Sequence, residues 1–325
     1  MLLGQPRDIL ETYKPSLTKA GDFDQFWAKT LIDFIELDPH PKLQLLETPI
    51  SEFEIYDVTV PGYNGDPIKG WFITPKNLPS KRPIVVVYEG YGGGRGNFNE
   101  WLFWPSCGYP TLVMDTRGQG GGHRRGDTPD GAYPRASSSA GFMTMGIESK
   151  ENYYYRRVYA DAVAFVRAAK HLPNVDAARI ITTGASQGGG IALAATSLSP
   201  DVFATMPDVP FLCHINRAIE ITDSHPYQEI VNYCRIHRSE VDQALRTVTY
   251  FDCMNLVTSA KSHALISIGM HDPICPPDTV FAVRNHYAGP VTTQVWEFNM
   301  HEGGASDQNL VQARWLDNLL SKSER

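Results

Sequence analysis

The chain has 325 residues, a length that either one large α/β domain or two ordinary domains would fill. Its 29 Lys and Arg stand against 36 Asp and Glu, a formal net charge of −7, so a nucleic-acid surface, which needs clustered cations, is not expected. With 42% hydrophobic and 20% charged residues the chain buries a core, which excludes a disordered role.

The segment from Met1 to Thr18 carries Arg7, Asp8, Glu11 and Lys14 and has no basic stretch leading into an apolar run, so no signal peptide is expected. No apolar run reaches the about 18 residues of a membrane helix, so no membrane contact is expected. Residues 1–50 read as an N-terminal helical extension, in which Phe26, Trp27, Leu31 and Phe34 recur at near-turn spacing. Alternating runs from Phe53 to Val60 and from Ile68 to Thr74 flank the turn pair Asn64-Gly65 and predict a β-hairpin.

After Pro83 the pattern changes to short, nearly continuous apolar runs: Ile84 to Tyr88, Thr111 to Met114, Ile180 to Thr183, Val202 to Met206, Ala264 to Ile268 and Thr293 to Phe298. Such runs mark parallel strands buried on both faces. A helix is predicted from Tyr153 to His171, with Val158, Ala162, Phe165, Val166 and Ala169 on one face. The polar stretch from about 211 to 259 is too long for a loop and reads as a helical insertion over the edge of the sheet. The chain is thus expected to be a single α/β domain with a mostly parallel central sheet and helices on both faces.

Cys107, Cys213, Cys234, Cys253 and Cys275 are an odd, scattered set without C-x-x-C spacing. Reduced thiols in a cytoplasmic protein are expected, and neither a disulfide frame nor a zinc site.

The peptide Gly184-Ala185-Ser186-Gln187-Gly188 holds the sequence's one G-x-S-x-G, between an apolar β-branched run and an Ala-rich helical run. A nucleophilic Ser on a tight strand-to-helix turn needs small neighbours two residues away on each side, and Gly184 and Gly188 provide them. The following helix points its free N–H groups at the charge that develops on an attacked carbonyl. Ser186 is therefore the expected nucleophile. It needs a base, and the base needs an orienting acid, each at the end of a later strand. Asp272 follows the strand that ends at Ile268, and His301 follows the last strand. His271 is a rival base, Glu302 and Asp278 are rival acids, and the sequence ranks each of them lower. His301-Glu302 lacks the second His of a zinc helix, so no metal is expected, and no cofactor motif occurs.

The glycine-rich segment from Gly90 to Gly96 lets a backbone N–H turn toward the site. The N–H groups of Tyr91 and Gln187 are the expected oxyanion donors. A phosphate cradle is disfavoured, because no Gly-Lys-Ser/Thr follows and no G-x-G-x-x-G occurs.

Gly90 to Gly96, Asp115-Thr-Arg117-Gly118-Gln119-Gly120, Gly184 to Gly188 and His301-Glu302 together resemble carbohydrate esterase family 7, the acetyl xylan esterases and cephalosporin C deacetylases of the α/β-hydrolase superfamily. The similarity also covers Trp101 to Pro105, Tyr153 to Arg157, Asp208 to His214 and Asp272 to Pro277, nearly the whole chain. It implies a serine esterase that removes acetyl groups from small substrates such as acetylated xylooligosaccharides and cephalosporin C. It also implies a cytoplasmic, ring-like homohexamer. The triad implied is again Ser186, Asp272 and His301, with Tyr91 and Gln187 as oxyanion donors. Arg117 and Gln119 read as residues behind the site, Arg117 as a buried guanidinium with paired partners. Tyr91, Trp104 and Phe211 are the bulky side chains expected to close the acyl pocket. One departure is Glu89, standing where many α/β-hydrolases have a His. Its carboxylate must turn away from the oxyanion or pair with a cation, for which Arg95 and Arg117 are the candidates. The alternative activities are those of a hydrolase-fold peptidase or another short-chain carboxylesterase.

Overall fold

The computed structural model describes residues 4–35, 39–131 and 140–323, and the side chains of residues 33–35, Phe34 among them, lie outside what is described. Two helices, α1 (Arg7–Leu10) and α2 (Phe23–Ile35), precede strand β1 (Lys42–Leu45) and the hairpin of β2 (Phe53–Pro61) and β3 (Pro67–Pro75). The hairpin turns where expected, with Asn64 and Gly65 both at positive φ, 55° and 78°. Next come β4 (Arg82–Tyr88), α3 (Phe103–Ser106), β5 (Thr111–Met114), α4 (Tyr154–Ala169), β6 (Val175–Ala185), α5 (Gln187–Leu198) and β7 (Val202–Asp208). The insertion follows as α6 (Ile215–Ile221), α7 (Tyr227–Ile236), α8 (Val241–Thr249) and α9 (Cys253–Leu256). The chain closes with β8 (His263–Gly269), α10 (Pro277–His286), β9 (Val291–Trp296) and α11 (Ala305–Ser323).

The nine strands form one sheet in the order β1-β2-β3-β5-β4-β6-β7-β8-β9, antiparallel up to β5 and parallel from there to β9. Burial of both faces explains the continuous apolar runs. In β4, Ile84, Val86 and Tyr88 point into one core while Val85 and Val87 point into the other. The first core packs under α4, α5 and α10, and the second under α3 and α11.

Three expectations need correction. The extension is not purely helical, because β1 pairs antiparallel with β2 and adds an edge strand whose four residues are all exposed. Lacking a buried face, β1 carries no alternation for the sequence to display. The last strand ends at Trp296, and Phe298, assigned to it, is 90% exposed. The insertion lies over the helical layer, against α5 and α10, and not over the sheet edge, since β7 and β8 are interior neighbours. The buried carboxylate of Asp252 holds it there, accepting the backbone N–H groups of His214, Ile215 and Met254 at 2.7–2.8 Å. Phe26 and Trp27 of the extension pack on Tyr250 and Phe251 of the insertion, and Trp27 Nε1 donates to the Tyr250 carbonyl at 2.9 Å.

Candidate active site

β6 ends at Ala185 and α5 begins at Gln187, leaving Ser186 alone in the turn at φ 56°, ψ −118°. This left-handed backbone is strained for a residue with a side chain, and the surroundings enforce it. The Ser186 N–H donates to the Asp208 carbonyl at 2.9 Å, and its own carbonyl accepts from the N–H groups of Gly190 and Phe211. A Cβ on Gly184 would stand 2.5 Å from the Tyr88 carbonyl oxygen, and one on Gly188 closer still, so only glycine fits on either side.

Asp272 follows β8 and is fully buried. Its Oδ1 accepts the N–H groups of Ile274 and Cys275 at 2.8 and 2.9 Å, which leaves Oδ2 for the imidazole. The Nδ1 of His301 meets that oxygen at 2.8 Å. A carboxylate only accepts, so Nδ1 carries the proton and Nε2 is the free base. His301 is 27% exposed and lines the same cavity as Ser186. No hydrogen bond yet joins the Ser186 hydroxyl to His301, and the hydroxyl contacts the buried Cys275 thiol, whose pKa burial pushes well up. Such a link commonly closes only when substrate is bound.

The rivals lie elsewhere. His271 does not line the cavity, Glu302 accepts from Asn299 and the Met300 N–H, and Asp278 pairs with Arg217. Asp272, Cys275 and His301 bring three possible metal-binding atoms within 4.8 Å of one another, the one such group among the described residues. Two of the three are the acid–base pair.

The N–H groups of Tyr91 and Gln187 have no partner among the described residues, as oxyanion donors require. Gln119 ties their two segments together. Its Oε1 accepts the Gly92 N–H at 2.6 Å, while its amide pairs reciprocally with that of Gln187 at 2.9 and 3.2 Å. Gln119→Ala is expected to lower kcat roughly 10- to 100-fold with little change in KM, because two donors lose their alignment together. Steady-state kinetics on an acetyl ester would show it, and a change confined to KM would contradict it.

Glu89 does pair with cations, but not the ones anticipated. Its carboxylate meets Arg124 at 2.8 Å and His123 at 3.2 Å, and also accepts the Gly90 N–H. The Glu89 contact raises the His123 pKa. Arg95 is instead engaged by Asp57 and Asp127, and Arg117 by Asp161, Asp66 and Asp130. Glu89 is thereby neutralised and turned from the oxyanion. Arg117 touches none of the triad and binds the hairpin turn to α4.

The catalytic cavity measures about 750 Å³ and is lined by Tyr91 and Trp104, as expected. Phe211 is not part of its wall; it lies fully buried, with its ring 4.3 Å from that of Tyr227. The positive φ of Leu212 and His214 turns the chain inward there. The insertion also lines the cavity through His225, Pro226 and Glu229, which the sequence reading missed because the polar stretch shows no periodicity toward the site. Glu229 accepts from the Tyr91 hydroxyl at 2.6 Å, and that hydroxyl accepts the N–H groups of Gly141 and Phe142. The Tyr91 ring is thus locked, and burial raises the pKa of its hydroxyl.

Residues 1–319 match the family model for acetyl xylan esterase. The chain belongs to the acetyl xylan esterase family. It is a carboxylic-ester hydrolase. An acetyl xylan esterase from Paenibacillus sp. R4 is similar at 38% identity and TM-score 0.87, over 97% of this chain and 99% of that one. Acetyl xylan esterase 1 from Thermoanaerobacterium sp. JW/SL YS485 shares 28% identity at TM-score 0.83, covering 95% and 97%. Acetyl esterase Axe7A of Xylanibacter ruminicola is 24% identical over 94% of this chain and 69% of its own length. The Pyrococcus horikoshii acylaminoacyl peptidase, at 15% identity and TM-score 0.55, shares the α/β-hydrolase fold, and the esterase covers 43% of it. All five cysteines are free, and among the described residues no helix is long and apolar enough to cross a membrane.

Proposed function

We propose that the esterase removes acetyl groups from small oxygenated substrates, acetylated xylooligosaccharides and cephalosporin C among them, through an acetyl-enzyme. The observation that carries this reading is Ser186 on its strained turn, in one cavity with the Asp272–His301 pair and beside the unpartnered N–H groups of Tyr91 and Gln187. His301 Nε2 takes the Ser186 proton as Oγ attacks the acetyl carbonyl, and the two N–H groups hold the oxyanion. His301 then returns the proton to the leaving alcohol oxygen as the C–O bond breaks. Water, deprotonated by the same nitrogen, attacks the acetyl-enzyme, and acetate departs as Ser186 recovers its proton. Asp272 stabilises the imidazolium in both halves.

The bulk of Tyr91 and Trp104 on the cavity wall supports a short acyl group. Comparing acetyl with octanoyl esters and a prolyl amide, we expect kcat/KM to favour acetyl by at least about 100-fold, since the longer chain must displace packed side chains. Equal turnover of the octanoyl ester or the amide would overturn the reading. It extends to a cytoplasmic homohexamer, supported by the open edge strand β1 with Leu43 and Leu45 exposed. A monomer by light scattering would remove that part.

A further inference from the structure

In the run Gly90-Tyr91-Gly92-Gly93-Gly94, Tyr91 has the one side chain. Glycines leave the backbone free to turn, so such a loop is held only by its peptide groups and by that single ring. The N–H groups on either side are taken, Gly90 by the Glu89 carboxylate at 2.8 Å and Gly92 by Gln119 at 2.6 Å. What fixes Tyr91 itself, whose own N–H must stay free, is its side chain.

That side chain is gripped at its far end. The hydroxyl donates to the Glu229 carboxylate, 2.6 Å from Oε1 and 2.8 Å from Oε2, and accepts the N–H groups of Gly141 at 3.2 Å and Phe142 at 2.9 Å. A phenol has one proton to give and two lone pairs, so all its positions are used. Glu229 Oε2 also accepts the Met143 N–H at 3.0 Å, so the pair takes the N–H groups of three consecutive residues. The Phe142 and Phe211 rings close on the Tyr91 ring edge-on, with centroids at 5.4 and 6.3 Å.

Glu229 sits in the first turn of α7, 138 positions from Tyr91, on the wall of the catalytic cavity. Its carboxylate bonds to Tyr91 and Met143, both outside the insertion. The insertion has an anchor of its own in Asp252, so the Glu229 contact is not needed to keep it in place.

We propose that Glu229 is a positioning residue for the ester hydrolysis: by holding the Tyr91 hydroxyl it fixes the direction of the Tyr91 N–H, so the helical insertion completes the oxyanion hole. The inference rests on the reading of Tyr91 as an oxyanion donor. Release of the ring would let the glycine loop swing, and a misplacement of about 1 Å at a reacting centre costs up to about 100-fold in rate.

The test compares the parent with Glu229→Ala, Glu229→Gln, Tyr91→Phe and the double variant Glu229→Ala/Tyr91→Phe on an acetyl ester. It adds the inhibition constant of 1,1,1-trifluoroacetone, a ketone that adds to the serine and places its own oxyanion in the hole. Glu229→Ala and Tyr91→Phe should each lower kcat about 10- to 100-fold with KM within about threefold, and weaken the ketone by a similar factor. The double variant should fall within about threefold of the worse single one, because both cut the same link. Glu229→Gln keeps an acceptor oxygen and should stay within about fivefold of the parent. A rise in KM alone, a fall in kcat with the ketone affinity kept, losses that multiply in the double variant, or a Gln variant as slow as the Ala variant would each overturn the proposal. Should one of the two truncations fail to fold, the other decides by the same split between kcat, KM and ketone affinity. A Ser186→Ala variant that keeps its rate overturns the serine mechanism and this proposal together. A Ser186→Ala variant that loses it, beside an unaffected Glu229→Ala, overturns this proposal alone.

Discussion

Ser186→Ala should lower kcat on acetyl esters by about 10⁶-fold, because removal of the nucleophile of a serine hydrolase triad costs as much as removal of the whole triad. Acetate release under saturating substrate is the measurement. The parent should also be labelled by an organophosphonate at this residue, and the variant should not. Two structural facts set the size of the effect. The strained turn holds only Ser186 in the position between β6 and α5. The one other nucleophile in contact, the Cys275 thiol, is buried and pushed toward its neutral form, so it offers no substitute. A variant retaining a rate within tenfold of the parent would dismiss the Ser mechanism. Asp272→Asn leaves Nδ1 of His301 facing an amide and is the milder lesion, with a loss of roughly 10⁴-fold.

Arg117→Met should destabilise the fold by roughly 3–5 kcal/mol, the cost of leaving a buried charge without its partner. The guanidinium is fully enclosed and grips Asp161 through Nε at 2.6 Å and Nη2 at 2.9 Å, while Nη1 reaches Asp66 in the hairpin turn at 2.9 Å. Burial pushes the Asp161 carboxyl up and Arg117 pulls it down. Without the guanidinium, only the Tyr63 N–H remains bonded to that carboxylate at hydrogen-bond distance. The unfolding midpoint should drop by roughly 4–7 °C for a chain of this size. Arg117→Met combined with Asp161→Leu should recover much of the loss, because replacing both partners removes the orphaned charge. A midpoint within 1 °C of the parent for the single variant, where the loss of the buried pair should cost about 3 kcal/mol, would contradict the account.

What was legible in the sequence has a common cause. The elbow is written locally: the Tyr88 carbonyl passes so near Gly184 and Gly188 that no side chain fits, and glycine at those two places is a sequence signal. Strands buried on both faces display unbroken apolar runs, so β4 to β8 could be read directly, and the order Ser186, Asp272, His301 follows from which strand each one ends. The resemblance implies Gln119 and Arg117 as residues behind the site, and the structure puts Gln119 against Gln187 and Arg117 against Asp161. β1 escaped notice because an edge strand with exposed residues carries no period of burial.

The sequence by itself determined the α/β framework and singled out Ser186, Asp272 and His301 as the candidate nucleophile, acid and base, because short-range sterics and periodic burial leave marks on consecutive residues. Only the tertiary structure decided who neutralises whom. Glu89 takes Arg124 and His123, 35 and 34 positions away, over Arg95, six positions away, since Arg95 is already held between Asp57 and Asp127 and stacked 3.8 Å over the Trp71 ring. Whether Phe211 or Pro226 faces the cavity, and that Glu229 reaches the Tyr91 hydroxyl, depend on how α7 settles over the ends of the strands. Contacts of that kind are made between segments distant in sequence, and the side chains that make them show no pattern until the chain has closed around them.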